Sequence, residues 1–295
     1  MQTLIFGLTF GGIYALMSLA INVIYSTTRI MNFAHATVIT FAAMLMRHLC
    51  VISGLPLLAA LAITIVATMV LNLIIYKLCV EPCGDLMKNN IWIITTFGLG
   101  HILENSCRMI FGTETYPFPY LFDGAKITIG NTSILWHEIL MFAVGILIGI
   151  AYQTMVNKTR FGRSLRAVAW KPDTALLMGI NSNSVIMICF AISGSIAAIA
   201  AMLLAPVTYV SFNMTANIGL KAYAATLIGG LGNTKGAIIG GFALGILEAI
   251  LGIFVSAAMR DAVSFVVMIF VIIFLPGGVM SAKVFNSGRS SAEKV

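Results

Sequence analysis

The chain has 295 residues, of which 60% are hydrophobic and only 9% charged, against about 25% charged in an ordinary soluble domain. So apolar a chain cannot cover a water-facing surface, which excludes a soluble enzyme or binding module and makes lipid its main solvent. The formal charge of +7 does not point to nucleic acid, because the basic residues gather in loops between apolar runs, where membrane topology accounts for them.

The expected class is all-α: a polytopic transmembrane helical bundle of about eight crossing helices, with short broken or re-entrant segments. Residues 1–280 read as one transmembrane domain and 281–295 as a short cytoplasmic tail. The opening MQTLIFGLTFGG has no basic leader and reads as the start of the first span, residues 3–25, not as a cleavable signal. A shorter apolar run, 33–45, ends at Arg47 and His48. Residues 57–78 form a clear span. The next, 91–111, carries His101, Glu104 and Arg108. The connection 112–133 holds YPFPY, suited to an interface, and reads as external, where a soluble partner can land. Spans at 134–156 and 185–205 follow, the second stopped by Pro206. In the glycine-rich zone, 222–231 is too short to cross untilted, whereas 237–254 can cross. Residues 261–275 make a last, short span.

Two longer patterns emerge. LTFGGIYALMSLAINVIY, 8–25, and FAISGSIAAIAAMLLAPVTY, 190–209, share small-residue spacing, and each precedes a short broken run. Paired short segments in two halves of a chain point to a transporter's midplane site. Glycines recur four apart, as Gly7 and Gly11, Gly145 and Gly149, Gly236 and Gly240, Gly241 and Gly245; such faces let helices pack closely in lipid.

The usual enzyme signatures are absent from the sequence. HEILM, 137–141, lacks the second His of a zinc protease helix, and no G-x-S-x-G occurs. GGLGNTKGA, 229–237, has its glycines and lysine in the wrong register for a P-loop, so ATP hydrolysis would need another subunit. The five cysteines read as buried reduced thiols; Cys79 and Cys83 are four apart but lack a second pair of ligands, so no metal is expected.

The candidates for function are then polar residues inside apolar runs, which are costly in lipid unless paired or used. Asn32 and His35 open the first short run; Asn32 also suits a helix N-cap, and a helix starting within the membrane would turn its amides toward a carboxylate. Glu104 and Arg108, four apart, suit a structural ion pair, with His101 one turn earlier on the same face. Glu248 stands alone in GILEAIL and needs a partner from another helix, or protonation.

The stretch 158–180 is the anomaly, since five of the 17 basic residues fall between Lys158 and Lys171. Leu165, Val168 and Ala169 share a helix face opposite Arg163 and Arg166; Pro172 interrupts, and a second short turn closes at Gly179. This segment is too short and too charged to cross and reads as a cytoplasmic surface helix, anchored on anionic lipid or docked into another protein.

Here the residues resemble a family. TRFGRSLRAVA, 159–169, with PDTALLMGI, 172–180, is similar to the cytoplasmic coupling segment of branched-chain amino acid ABC importer permeases. IMNFAHA at 30–36, TFGLGHILEN at 96–105, RMIFG at 108–112 and the block 221–248 match the family in the same order, nearest the shorter of its two permease subunits. Two positions depart: Ala36 stands where Gly is usual, and Glu81-Pro82-Cys83-Gly84 where an R-P-L-R-like loop is usual. The resemblance implies a multi-pass protein of the bacterial inner membrane, not itself an enzyme and needing no cofactor. Its implied partners are a second permease subunit, two cytoplasmic ATP-binding subunits and an extracytoplasmic substrate-binding protein. It implies that the segment 158–181 couples to an ATPase subunit, through Thr159, Gly162, Arg163, Arg166, Ala167, Pro172 and Gly179. Import of leucine, isoleucine and valine is the expected activity. Related systems carry urea or short amides, and the residues alone also admit an autonomous secondary transporter or channel with His101, Glu104 and Glu248 as an ion relay.

Overall fold

The computed structural model describes residues 2–83, 90–122, 124–129, 132–254, 257–274 and 278–280. Within them the chain is a helical bundle with one small hairpin. The helices are α1 (Gln2–Thr28), α2 (His35–Arg47), α3 (Leu57–Ile75), α4 (Ile91–Phe111), α5 (Trp136–Lys158), α6 (Arg160–Trp170), α7 (Pro172–Leu177), α8 (Ser182–Thr208), α9 (Thr215–Gly229), α10 (Thr234–Phe254) and α11 (Ala257–Phe274). A π-helical turn, His48–Ile52, extends α2; a second one, Tyr76–Val80, and a short 3-10 turn, Glu81–Cys83, extend α3. The expected tail, 281–295, and Gly84 of the departing loop lie outside the described residues.

Six of these helical stretches are long and apolar enough to cross a membrane: α1, α2 with its π turn, α3 with its extensions, α5, α8 and α10. α4 and α11 have 21 and 18 residues, near the length a bilayer requires. The short run expected at 33–45 therefore reaches 18 residues, His35–Ile52, through the π turn. α9, with 15 residues, remains too short to cross upright. The connection after α4 holds an element the sequence reading does not include, an antiparallel pair of β1 (Lys126–Ile129) and β2 (Thr132–Leu135). It takes Ile134 and Leu135 out of the expected span, and α5 starts at Trp136, where Glu138 Oε2 accepts from the Leu135 amide at 3.0 Å.

Two repeats form the core. α1 and α8 are each 27 residues long and start 180 residues apart, at Gln2 and Ser182. Each is followed at once by a non-glycine residue in the left-handed region, Arg29 at φ 59° and Tyr209 at φ 60°. Each then gives way to a shorter helix, starting at His35 and at Thr215. The repeats interlock, with α1 packing chiefly on α10 and α8 on α3, while α1 and α8 touch at the centre. They run in opposite senses. The end of α1 meets α6, where Arg29 Nη2 donates to Ala169 O at 3.3 Å. The end of α8 meets the hairpin connection, where Val210 and Tyr116 exchange backbone hydrogen bonds of 2.8 and 2.9 Å.

The glycine pairs explain how close this packing is. A Cβ on Gly245 would lie 2.4 Å from Gly11 Cα, and one on Gly145 2.9 Å from Gly12 O. All four pairs thus serve contacts inside this chain, with backbones touching where side chains would separate them. Asn22 of α1 holds the turn between α9 and α10, its Oδ1 accepting from the Gly232 amide at 2.7 Å.

Candidate functional site

The residues singled out in the sequence fall into four places. The first is the break between α1 and α2. Asn32 Oδ1 accepts from the Ala34 amide at 3.1 Å and its carbonyl from the His35 amide at 3.1 Å, a turn that leads into α2; the N-cap position itself falls on Ala34, without a side-chain cap, and not on Asn32 as expected. The same carbonyl accepts from Tyr223 Oη of α9 at 2.5 Å. His35 Nδ1 lies 3.4 Å from Ser193 Oγ of α8, and that hydroxyl donates to Ala20 O of α1 at 2.9 Å. Asn32 and His35 are both buried, and among the described residues Asn32 Nδ2 and His35 Nε2 have no hydrogen-bond partner. The break is therefore a polar junction of α1, α2, α8 and α9 with hydrogen-bonding capacity to spare. The methyl of Ala36 is accommodated from across the contact: a Cβ on Gly219 would come within 2.4 Å of it, so glycine stands there instead.

The second place is the outward face of α4. The expected Glu104–Arg108 pair is not among the ion pairs of the described residues. Glu104 Oε2 instead faces His101 Nδ1 at 3.3 Å, with side chains 28% and 59% exposed. The Arg108 guanidinium sits 5.7 Å from the ring centre of Phe212, on the segment between α8 and α9. The Tyr116–Val210 pairing lies beside this contact, and a ring offers a cation an alternative to the carboxylate, while Glu104 has His101 on its own helix. At the same end of the bundle, Arg47 stacks on Tyr116 at 3.6 Å.

The third place holds Glu248, which is not alone. Its Oε1 meets Lys221 Nζ of α9 at 2.5 Å, and its Oε2 accepts from Tyr14 Oη of α1 at 2.7 Å. Side-chain exposures of 8% and 10% for the pair make this a buried ion pair, in which both charges need their partners. Lys221 and Tyr14 escape the sequence reading. The available signal is that Lys221 is the single charge on α9, as isolated as Glu248 in the segment that follows. Glu248 is enclosed by α1, α9 and α10, whereas α4 packs chiefly on α2 and the turn after α3. The structure therefore does not gather His101, Glu104 and Glu248 into one relay.

The fourth place is the elbow of α6 and α7. Thr159 caps α6, its Oγ1 accepting from the Gly162 amide at 3.0 Å and donating to Met155 O at 2.7 Å. Gly162 packs against the end of α5, where a Cβ would lie 2.1 Å from Val156 O. Arg166 Nη1 donates to that same carbonyl, satisfying an end group of α5. Leu165 and Val168 are buried, Ala167 and Ala169 partly so, and Arg163 is exposed. Pro172 opens α7, and Gly179, at φ 78°, closes it. Outward from this elbow stand Trp170, Leu176, Leu177 and Met178, all largely exposed.

Among the described residues no three His, Cys, Asp or Glu side chains converge as metal ligands, and all five cysteines are free.

Comparison with known proteins places this arrangement. The family described as branched-chain amino acid transport system / permease component matches residues 3–272. The chain is 30% identical to the high-affinity branched-chain amino acid transport system permease protein BraD of Pseudomonas aeruginosa, over 100% of this chain and 98% of the relative. It is likewise 30% identical to the permease protein LivH of Escherichia coli K12, over 100% of this chain and 97% of the relative. To the probable branched-chain amino acid transport permease protein LivH of Methanocaldococcus jannaschii it is 25% identical, over 92% of this chain and 89% of the relative. These relatives are transport components and not enzymes, and with the six apolar spans they make the chain a multi-pass protein of the bacterial inner membrane.

Proposed function

This chain belongs to the branched-chain amino acid transport permeases, and from that premise we propose that it is one membrane-spanning subunit of a binding-protein-dependent importer of leucine, isoleucine and valine, driven by ATP hydrolysed on partner subunits. The observation that carries this reading is the elbow of α6 and α7. A chain with no P-loop of its own presents, at one end of the bundle, an apolar ridge of Leu176, Leu177 and Met178 beside Arg163 and Trp170. Its inner face, Leu165 and Val168, is packed into the membrane helices, and Thr159, Gly162 and Arg166 fix it to the end of α5. A ridge held rigidly at its base and free at its tip suits a cleft of an ATPase subunit, whose closure it would pass to α5, α1 and α8.

On this reading the elbow end is cytoplasmic, in line with its basic residues. The hairpin end, with Tyr116, Tyr120 and the β1–β2 pair, receives the extracytoplasmic binding protein. A second permease completes the membrane pair. His101 and Glu104 face the translocation path. Asn32 and His35 form the polar break at which α2 can shift, and Glu248, tied to Lys221 and Tyr14, holds the wall formed by α1, α9 and α10. The branched-chain specificity named for the relatives supports amino acids over urea or amides as cargo.

The test is purification of the tagged chain from its native membrane in gentle detergent, with mass spectrometry of what accompanies it. A second permease and P-loop ATPases should co-purify. Recovery of the chain alone, together with gradient-driven flux in vesicles holding only this chain, would replace the importer with an autonomous transporter.

A further inference from the structure

The outward face of α4 bears two opposite charges that do not neutralise each other. Glu104 and Arg108 are one turn apart, the spacing at which a helical ion pair forms readily. Yet Glu104 turns back to His101, at 3.3 Å, and Arg108 lies over the Phe212 ring, at 5.7 Å. Both side chains stay accessible along a helix of 21 residues. Such a face is costly against hydrocarbon, so in the membrane it must border protein or a water-filled cleft. The second permease of the proposed pair supplies that border.

We propose that Glu104 and Arg108 form a subsite for a zwitterionic α-amino acid, the guanidinium taking the carboxylate and the Glu104 carboxylate taking the ammonium. This rests on the reading of the chain as an amino-acid permease and deepens it. An α-amino acid carries its two charges on one carbon, roughly 2.5 Å from ammonium nitrogen to carboxylate carbon. Side chains projecting from Cα atoms about 6 Å apart on one helix face can bracket such a headgroup, one from each side. Arg presents a planar fork matched to a carboxylate. Glu104 and Arg108 are not paired with each other, so a headgroup can enter between them without separating the two. Two turns before Glu104 on the same face, Phe97 is exposed and packs edge-on against His101 at 4.7 Å, extending the face with an apolar surface. A neutral amide or urea has no charge for either residue.

The experiment is ATP-driven uptake of radiolabelled leucine by the complete importer in vesicles, with assembly checked by co-purification. Glu104→Gln and Arg108→Gln should each lower uptake by tenfold or more, while Glu104→Asp, which keeps the charge, retains at least a third of it and Arg108→Lys, which keeps the charge but loses the fork, falls between Arg108→Gln and wild type. Wild-type uptake in both neutral variants would overturn the subsite and leave the importer intact. So would a loss in Glu104→Asp as large as that in Glu104→Gln with assembly unimpaired, since the carboxylate's charge would then not be what is used. A wild-type assembly that takes up no amino acid would overturn both the subsite and the proposed function.

Discussion

Gly162 sits where α6 folds back on α5, and a Cβ there would meet the carbonyl of Val156 at 2.1 Å. The neighbour is backbone, which cannot rotate aside, so even a methyl group forces the elbow away from α5. Overpacking of this kind costs about 1–3 kcal/mol, too little to unfold the bundle but enough to displace a short helix. We expect Gly162→Ala to reach the membrane in normal amount and to lose most ATP-driven uptake; full uptake in that variant would remove the elbow from the coupling route. The Lys221–Glu248 pair makes a different prediction. Removing one partner of a buried ion pair leaves the other charge stranded, at roughly 3–5 kcal/mol. Lys221→Met and Glu248→Leu should each lower the unfolding temperature in detergent, and the double variant should recover most of the loss. If the double variant is as unstable as the worse single one, the charges are not each other's main support. Of this site the sequence discloses half. An isolated glutamate in an apolar run announces that a partner is needed, but the partner stands 27 residues away and the supporting hydroxyl 234 away, separations fixed only by packing. Glu104 and Arg108 show the converse: helical spacing favours their pairing, but Glu104 faces His101 and Arg108 lies over a ring from a distant segment.

At the scale of elements, α7 is held by its base and offers its tip. Ala175 is buried under the elbow, while Leu176, Leu177 and Met178 are not. Exposed apolar side chains on a charged surface segment are the usual signature of a covered contact. Leu177→Glu should therefore weaken co-purification of the ATPase subunits at least tenfold while leaving the membrane pair together; unchanged recovery of the ATPases would place their contact elsewhere. The spans themselves are legible from composition because lipid demands long apolar helices. Their ends are less so. The π turn that completes α2 and the β1–β2 pair that precedes α5 involve residues such as Val51, Ile52, Ile134 and Leu135, whose apolarity alone does not say whether they continue a helix, unwind it or pair as strand.

Over the whole molecule, two ends are distinguished: the elbow with its cations and the hairpin with its aromatic residues. With the native cysteines replaced, Trp170→Cys should react with a membrane-impermeant maleimide only from the cytoplasmic side and Ser133→Cys only from the outside. The reverse pattern would invert the assignment of both partners. The repeat is only partly visible in sequence. The likeness between residues 8–25 and 190–209 is a matter of small-residue spacing, whereas the shared geometry lies in helix lengths and in the left-handed residues Arg29 and Tyr209, neither of which a short polar-to-apolar pattern reveals.

The 180-residue offset between α1 and α8 carries a consequence for how direction arises in this protein. The two repeats, of matching first-helix length and opposite sense, present similar helix ends to both faces of a bilayer. What lies between the halves, α4 to α7, contributes the splayed charges, the hairpin and the elbow. On the proposed function, the asymmetry between the two ends is expected to come chiefly from this middle, α4 to α7, while the two repeats supply a body of similar build toward either end.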